Sequence, residues 1–282
     1  MRLATIVDDA GAFAVGIVRN DEVFVLPSDP PAWSSLRVIA GSDASALAAI
    51  GAWVATAQPP SRPLGEATLG PAILDPGAIY TIGRNYRPAA GRDEDPPERP
   101  LVYGKAASSV GGHGATLTWD RSITDNVDAE AELAVVIGRE ATGVRAEDAM
   151  GHVFGYTCVN DISSRDARLD GDQWLVGKSL PGFCPIGPWI VTADELDPAD
   201  LRLSCTIDGE PIQEGRTSRM RFPIPEIIAH LSRHLTLRAG DVIVTGTPER
   251  LAAPPGPDRR LRAGDEVTVS IEGIGSLTTF IR

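Results

Sequence analysis

The sequence predicts a β-rich α+β fold, and two features of the chain indicate it. From Ile73 onward, most residues fall into short runs of β-branched and apolar side chains separated by Gly and Pro turns. Helical patterns are confined to residues 44–54 and 223–237. A chain of 282 residues with a 43% apolar fraction can bury a sizeable core, so we expect one large domain, or one domain with a smaller appendage.

The N-terminal part has a mixed pattern that predicts a small α/β domain. Residues 3–26 alternate between apolar and polar side chains, as a β-hairpin does. Residues 44–54 are rich in Ala and follow helix-start residues, so they predict a helix. The Pro-rich segment 58–63 is typical of a linker, and we place a domain boundary near residue 70. The two predicted domains are 1–70 and 71–282.

Strands dominate the larger predicted domain. Its one clear helix covers residues 223–237, where Pro223 and Pro225 fall in the first turn and apolar residues recur with helical spacing. Short apolar runs between turn residues predict the strands. They are residues 79–82, 130–137, 155–160, 242–244, 267–271 and 277–281.

Charge and cysteine content exclude several classes of function. A net charge of −12 argues against nucleic acid or an anionic membrane as a partner. No stretch approaches the roughly 20 apolar residues that a membrane span needs. Cys158, Cys184 and Cys205 are widely spaced and odd in number, which indicates reduced thiols in a cytoplasmic protein. The pair Arg259-Arg260 lies in a Pro/Gly-rich loop, and we interpret it as a solvated turn.

Three carboxylates form the strongest chemical signal. Glu130 and Glu132 are two residues apart in a strand-like run, so their side chains should point to the same face. Asp161 closes the run at 155–160 and could supply a third oxygen ligand. Such a set, without a nearby His or Cys, suits a hard cation, Mg²⁺ before Mn²⁺ or Ca²⁺. On this spacing alone, the glutamates could instead line the solvent-facing side of an ordinary strand.

A series of motifs then makes the chain resemble a known family. The motifs are Gly83-Arg84-Asn85-Tyr86, Lys105, Glu130-Ala131-Glu132-Leu133, Asn160-Asp161-Ile162-Ser163-Ser164-Arg165-Asp166, Gly177-Lys178-Ser179, Gln213-Glu214-Gly215 and Thr245-Gly246-Thr247-Pro248. In this order they resemble the fumarylacetoacetate hydrolase superfamily, nearest its acylpyruvase and oxaloacetate-tautomerase branch. The resemblance implies a mixed β-sandwich roll, a homodimer, and chemistry on 2-oxo and 1,3-dicarbonyl acids. Residues 1–70 resemble the small N-terminal domain common in bacterial members.

The resemblance also implies roles for individual residues. It implies that Glu130, Glu132 and Asp161 bind Mg²⁺ or Mn²⁺, and that Lys178 lies beside the metal, where we expect Lys178 and Asp161 to take part in catalysis. The implied substrate-binding residues are Arg84, Tyr86, Lys105 and Thr247. From the residues alone, Arg84 could be a structural ion pair, Lys178 a surface lysine and Thr247 a hairpin corner. Arg165 and Asp166 are expected to brace the loop that bears Asp161.

One departure from the family pattern limits the reaction. Hydrolytic and decarboxylating members carry a His and a Glu shortly after the Asn-Tyr motif, as a general base for water. The corresponding positions here are Ala89 and Arg92, and neither side chain can abstract a proton. The candidate replacements are Asp93, Glu94, Asp95 and His113.

The sequence therefore predicts a divalent-metal-dependent enzyme that acts on a small 2-oxo or 1,3-dicarbonyl acid through an enolate stabilised by the metal. The reaction is a C–C bond hydrolysis, a decarboxylation, or an isomerisation or tautomerisation. The missing His/Glu pair favours isomerisation or tautomerisation, since these need only enolate stabilisation and one proton shuttle. The alternatives are a non-hydrolytic biosynthetic lyase, dehydratase or cyclase, and a catalytically silent family member.

Overall fold

We describe the fold from a computed structural model of the chain. The structure describes residues 1–27, 31–42, 44–57, 59–88, 95–166, 173–251 and 259–282. Strands account for most of the regular structure, which confirms the predicted β-rich α+β class.

The strands in the described residues are β1 (Arg2–Val7), β2 (Phe13–Arg19), β3 (Glu22–Val25), β4 (Ser61–Pro63), β5 (Thr68–Leu69), β6 (Ile79–Gly83), β7 (Leu101–Lys105), β8 (Val110–Gly111), β9 (Ala115–Leu117), β10 (Val127–Asp128), β11 (Ala131–Ile137), β12 (Val153–Asn160), β13 (Ser163–Ser164), β14 (Cys184–Thr192), β15 (Arg202–Ile207), β16 (Glu210–Arg216), β17 (Val242–Val244), β18 (Glu266–Ile271) and β19 (Gly275–Ile281). The α-helices are α1 (Leu36–Ala40), α2 (Ala44–Ala57), α3 (Trp174–Lys178) and α4 (Ile224–His234).

The described strands form three sheets. The largest runs in the order β4-β3-β2-β1-β14-β12-β11-β17-β6-β7, with β5 beside β1 and β8 beside β14. A second sheet has the order β16-β15-β18-β19-β9, and β10 pairs with β13 in a two-stranded ladder. Most pairs are antiparallel, but β17–β6, β14–β8 and β19–β9 are parallel, so the architecture is mixed.

The strand β11 lies at the centre of the fold because both of its faces are buried. Leu133 and Val135 point into a core that also contains side chains of the second sheet, such as Val269. Ala134 and Val136 point into a second core on the opposite face, which includes residues of α1. Burial on both faces explains why this strand is a continuous apolar run after its glutamates.

The predicted N-terminal hairpin is longer than expected, since β1, β2 and β3 form a three-stranded meander. Asn20 and Asp21 have φ values of 52° and 60° in the tight β2–β3 turn, a conformation that short polar residues tolerate. Part of the predicted linker pairs as a strand, because β4 continues this meander beyond β3.

The N-terminal strands join the main sheet directly. The register aligns Arg2 with Val191 and Leu3 with Ile190, so β1 pairs antiparallel with β14. Residues 1–70 thus extend the sheet that carries the rest of the chain, and the division into domains 1–70 and 71–282 stays a prediction. Within the described part of the chain, no helix has the length and apolarity needed to cross a membrane.

Candidate active site

Three acidic side chains meet where β11 and β12 end. These strands pair antiparallel with Ala131 opposite Asn160, which places Glu130 and Asp161 side by side. The amide N–H of Asp161 donates to the carbonyl of Glu130 at 2.9 Å. A carboxylate oxygen from each of Glu130, Glu132 and Asp161 lies within 4.8 Å of the others. All three residues are buried, at 8%, 3% and 0% exposure, so the glutamates do not line a solvent-facing strand surface.

Two buried lysines neutralise much of this charge. Lys178 ends α3, and its Nζ lies 2.5 Å from Asp161 and 3.1 Å from Glu130. Lys105 ends β7, and its Nζ lies 2.6 Å from the other oxygen of Asp161. Lys105 and Lys178 are the only lysines in the sequence. The count of two lysines is readable from the sequence alone, whereas their placement against one aspartate is shown only by the structure.

The charges shift the protonation of the cluster in opposite directions. Burial, with the charges of Asp161 and Glu130, raises the pKa of Glu132 well above its ordinary value. Burial also acts to raise the pKa of Asp161, but Lys105 and Lys178 hold that pKa below its ordinary value. Burial acts to lower the pKa of Lys178, yet the surrounding carboxylates raise it, so Lys178 is a stable cation. Without a metal, Glu132 therefore keeps a proton more readily than Asp161 does.

A tight turn after β17 holds Glu132. The backbone N–H of Gly246 donates a short hydrogen bond to the Glu132 carboxylate. Gly246 has φ +99°, and a Cβ there would lie 2.7 Å from the Cβ of Asn85 and 2.9 Å from the carbonyl of Ile82. Only glycine allows this approach without displacing its neighbours. The Thr245-Gly246-Thr247-Pro248 motif thus positions a backbone donor on the cluster.

The cluster opens on a cavity of about 420 Å³. Its described lining residues are Thr81, Ile82, Gly83, Arg84, Tyr86, Pro88, Tyr103, Glu130, Glu132, Asp161, Arg165, Trp174, Lys178, Arg221, Thr247, Pro248 and Glu249. No histidine or cysteine occurs among them. Three arginines face the cavity although the chain is strongly acidic overall, so the cavity suits a small anion.

The structure brings three of the four predicted substrate-binding residues into the cavity wall, namely Arg84, Tyr86 and Thr247. Arg84 has φ +53°, and its guanidinium donates to the carbonyl of Asp95 at 2.8 Å. The Thr247 hydroxyl donates to the carbonyl of Ala131 at 2.9 Å, so its proton is already used and a substrate carboxylate would have to meet the backbone N–H. These roles in substrate binding stay predictions.

Lys105 and Tyr86 differ in how they face the site. Lys105 lies behind Asp161 and is not among the described lining residues, so the structure pairs it with that acid rather than with the cavity. The Tyr86 hydroxyl is buried and has no hydrogen-bond partner among the described residues. Burial first, and the charge of Glu132 second, raise the pKa of Tyr86 above its ordinary value. Tyr86 is therefore a neutral hydroxyl group beside the cluster.

The predicted bracing residues act on different parts of the site. Arg165 donates from Nη2 to Glu130 at 2.5 Å, so it contacts a cluster acid directly. Asp166 instead accepts hydrogen bonds from Ser164, at 2.9 Å, and from Thr124, which hold the segment after Asp161.

The lining residues that sequence reasoning missed include Tyr103, Trp174, Arg221 and Glu249. Trp174 and Lys178 are one helical turn apart on α3, so the lysine could have pointed to the tryptophan. The rings of Tyr103 and Trp174 have centroids 5.6 Å apart. Arg221 is held through its backbone N–H, which donates to the Asn85 carbonyl at 2.6 Å. That pairing is long-range and leaves no local signal in the sequence.

The candidate replacements for the missing base are only partly visible. Ala89, Arg92, Asp93 and Glu94 lie outside the described residues. His113 does not line the cavity, and its Nδ1 accepts from the backbone N–H of Thr278 at 3.3 Å. Asp95 is not among the lining residues either, although its carbonyl holds Arg84.

The donor set of the cluster fits a hard divalent cation. It consists of buried carboxylate oxygens within 4.8 Å of one another, with no soft ligand among the described lining residues. Three buried like charges are unfavourable unless they are compensated. Lys105, Lys178 and Arg165 contact Asp161 and Glu130, whereas burial and its acidic neighbours still raise the pKa of Glu132. A divalent cation would favour the charged form of this third carboxylate.

Fold and site together define a class of protein, a mixed-β protein with a buried all-carboxylate cluster, which could hold a divalent metal, beside a small cavity with three arginines in its wall. Residues 78–282 match the model of the fumarylacetoacetate hydrolase C-terminal domain. The chain belongs to the fumarylacetoacetate hydrolase family and is an enzyme of that family.

Individual relatives place it among several activities. The chain is 43% identical over 207 residues to the oxaloacetate tautomerase YisK of Bacillus subtilis (strain 168), an overlap that covers 72% of this chain and 69% of that one. It resembles the structure of a fumarylacetoacetate hydrolase from Exiguobacterium antarcticum with a TM-score of 0.85 and 32% identity, over 100% and 99% of the two chains. A maleylpyruvate hydrolase from Sphingobium sp. SYK-6, solved with manganese(II) and pyruvate, matches with a TM-score of 0.80 and 28% identity, over 100% and 98%. Both a tautomerase and hydrolases are thus similar to this chain.

Proposed function

We propose that this chain is a Mg²⁺- or Mn²⁺-dependent enzyme that forms and reprotonates the enolate of a small 2-oxo or 1,3-dicarbonyl acid, and that it works as a tautomerase or isomerase in preference to a C–C hydrolase. Oxaloacetate is the first substrate to test, because the tautomerase relative acts on it. The observation that carries the proposal is the buried carboxylate cluster opening on a cavity whose described lining contains no histidine.

The acidic cluster, Lys178 and two arginines have separate roles in this proposal. Glu130, Glu132 and Asp161 would hold the cation, which when bound supplies Lewis-acid stabilisation of negative charge on the substrate. Lys178 is a stable cation at the cluster, so it offers a positive charge to the substrate carboxylate or to the enolate oxygen. Its ammonium hydrogens meet Glu130, Asp161 and Ser163, so a hydrogen bond to the substrate would replace one of these contacts. Arg84 and Arg221 add positive charge to the cavity wall and favour an anionic substrate.

The preference for tautomerisation follows from what the two reactions need. C–C hydrolysis requires a base that activates water, and general acid–base catalysis is worth roughly 10²–10⁴-fold. Ala89 and Arg92 occupy the positions where the family pattern has that base. Tautomerisation moves one proton between carbon and oxygen, so it loses less when this base is missing. A lyase or cyclase on the same enolate is the second candidate, since it also needs no water activation.

An NMR time course tests the proposal. The purified chain would be mixed with oxaloacetate or an acylpyruvate in D₂O in the presence of a divalent metal. Mg²⁺ can stay in the sample throughout, whereas Mn²⁺ is removed before the spectrum is recorded. A reaction with EDTA is the control. We expect metal-dependent deuterium incorporation at the carbon between the carbonyls, faster than without protein and without C–C cleavage. Efficient metal-dependent release of pyruvate from the acylpyruvate would overturn the preference and identify a hydrolase.

A gain-of-function variant sharpens this test. Ala89→His combined with Arg92→Glu restores the family's base at its expected positions. We expect acylpyruvate cleavage to rise by up to roughly 10²-fold, while deuterium exchange of oxaloacetate stays similar. The homodimer and the cytoplasmic location implied by the family resemblance stay predictions.

A further inference from the structure

A buried aspartate outside the cavity makes an unusual set of contacts. Asp128 lies on β10 with its side chain 3% exposed, and it faces three arginines. One carboxylate oxygen accepts from the Nε of Arg165 at 2.7 Å. The other pairs with Arg250 at 3.0 Å and with Arg260 through a short contact. The interpretation of Arg260 as part of a solvated turn is therefore wrong, because this arginine reaches a buried acid.

One of the three arginines connects Asp128 to the proposed metal site. The Arg165 guanidinium uses Nε for Asp128 and Nη2 for Glu130, at 2.7 and 2.5 Å. A planar guanidinium with two occupied edges can hold its two partners only in one relative position. Asp128 therefore sets the orientation of Arg165, and Arg165 sets the orientation of Glu130 Oε1.

The charge balance points in the same direction. Asp128 shares its single negative charge with three guanidinium groups, so it draws part of the Arg165 charge away from Glu130. Without that acid, more of the positive charge of Arg165 would act on Glu130 and would oppose a cation there. Asp128 thus both orients the ligand and keeps it available to a metal.

We propose that Asp128 is a positioning residue for the metal centre, which acts through Arg165 on Glu130 and is itself fixed by Arg250 and Arg260. The inference rests on the proposed role of Glu130 as a metal ligand. Such outer partners of metal ligands typically matter by 10- to 100-fold in metal affinity.

A double-mutant cycle on the metal-free full chain tests the proposal. The dissociation constant for Mn²⁺ would be measured by the EPR signal of free Mn²⁺, without substrate, for wild type, Asp128→Asn, Arg165→Gln and the double variant. We expect Asp128→Asn to weaken binding by about 10- to 100-fold in the wild-type background. In the Arg165→Gln background the same change should cost less than about threefold, because the residue it acts through is gone.

Asp208→Asn is the matched control, since Asp208 also pairs with an arginine, Arg259 at 2.9 Å, but its side chain is 48% exposed and lies away from the cavity. Binding by Asp128→Asn within about twofold of this control would overturn the proposal. An equal loss in both Arg165 backgrounds would also overturn it, since Asp128 would then act independently of Arg165. If the wild type bound no Mn²⁺, the proposed function would fail as well, so the two failures are distinguishable.

Circular dichroism would check that Asp128→Asn folds. Should it not fold, Arg165→Lys serves in its place, because a lysine keeps the charge but has one nitrogen where Arg165 uses Nε for Asp128 and Nη2 for Glu130. Mn²⁺ binding about tenfold weaker than in Asp208→Asn is expected for this variant. Unchanged binding by folded Arg165→Lys would overturn the proposal.

Discussion

The floor and the rim of the cavity are built in different ways. We call Glu130, Glu132, Asp161 and Lys178 the floor, and Arg84, Tyr103, Trp174, Arg221 and Glu249 the rim. Every floor residue is at most 8% exposed and lies at the end of an element paired or packed in the interior. The rim residues come from strand ends, α3 and connecting segments, and all of them are partly or fully exposed.

The difference separates chemistry from selectivity. The floor is over-determined, because strand pairing, the Gly246 N–H and two lysines fix its carboxylates. Such a floor can support different reactions that proceed through an enolate stabilised by a metal. The rim has fewer constraints, so substitutions there can change its shape without disturbing the cluster. We therefore expect changes in the floor to abolish turnover and changes in the rim to alter which acid is bound.

The largest effect is expected for Glu132→Gln. The variant removes a ligand, so metal-dependent turnover should fall by roughly 10³-fold, which corresponds to the several kcal/mol that a Lewis acid contributes. The metal-free protein should become more stable, since burial and two like charges penalise this carboxylate. Turnover assays and thermal melts measure the two effects. Glu226→Gln on the exposed face of α4 is the control, and retained metal-dependent turnover in Glu132→Gln would contradict the assignment.

Lys178→Met should lower turnover, as any change in the floor should, and should also destabilise the metal-free protein. The change leaves Glu130 without its lysine contact and removes one of the two lysines on Asp161. Breaking such a buried pair costs about 3–5 kcal/mol, or roughly 5–10 °C in Tm for a chain of this size. Saturating Mn²⁺ should recover more stability in this variant than in wild type, because the cation replaces the lost charge. If Mn²⁺ raised the Tm equally in both proteins, the cation would not be replacing the charge of Lys178. Arg233→Met is the control, since Arg233 is exposed.

The pH dependence of the metal-free protein should carry two opposite contributions. The pKa of Glu132 is raised above its ordinary 4.5, so the native state holds the proton longer and stability falls as pH rises from 4.5 through the raised value. The pKa of Asp161 is lowered below its ordinary 3.8, so its contribution is present above 3.8 and is lost as pH falls through the lowered value. Urea titrations across pH measure both slopes. Glu132→Gln should remove the loss of stability above pH 4.5 and keep the loss of stability at low pH that comes from Asp161. If the loss above pH 4.5 survived this change, a group other than Glu132 would hold the proton.

The sequence could predict the floor because local rules control it. Alternation along a strand puts Glu130 and Glu132 on one face, and the end of the next strand-like run supplies Asp161. The structure confirms that these three side chains meet. The helices at 44–54 and 223–237 were also predictable. The structure has α2 at Ala44–Ala57, which extends past the first prediction, and α4 at Ile224–His234, which lies within the second. Spacing and periodicity carry information of this kind.

The rim and the outer contacts were not predictable, because they depend on pairing between distant segments. Arg221 reaches the cavity only because its backbone pairs with Asn85, and Arg260 reaches Asp128 across 132 positions of the chain. No local pattern marks either contact. The Pro/Gly-rich sequence around Arg260 predicted a solvated turn. In the structure, Arg260 instead pairs with Asp128, a buried acid on β10.

The smallest effect, and the sharpest test of the rim, is expected for Trp174→Ala. A half-buried aromatic side chain in the rim contributes contact area to the substrate in the ground state and the transition state alike, so KM should rise by roughly tenfold with little change in kcat. Steady-state kinetics with oxaloacetate and a bulkier acylpyruvate measure this, and the bulkier acid should lose more. Trp174→Phe keeps an aromatic ring and should stay near wild type, as should Phe280→Ala on the exposed face of β19. A fall in kcat at unchanged KM would instead mean that Trp174 acts through α3 on Lys178, one turn away, and the separation of floor and rim would fail at this helix.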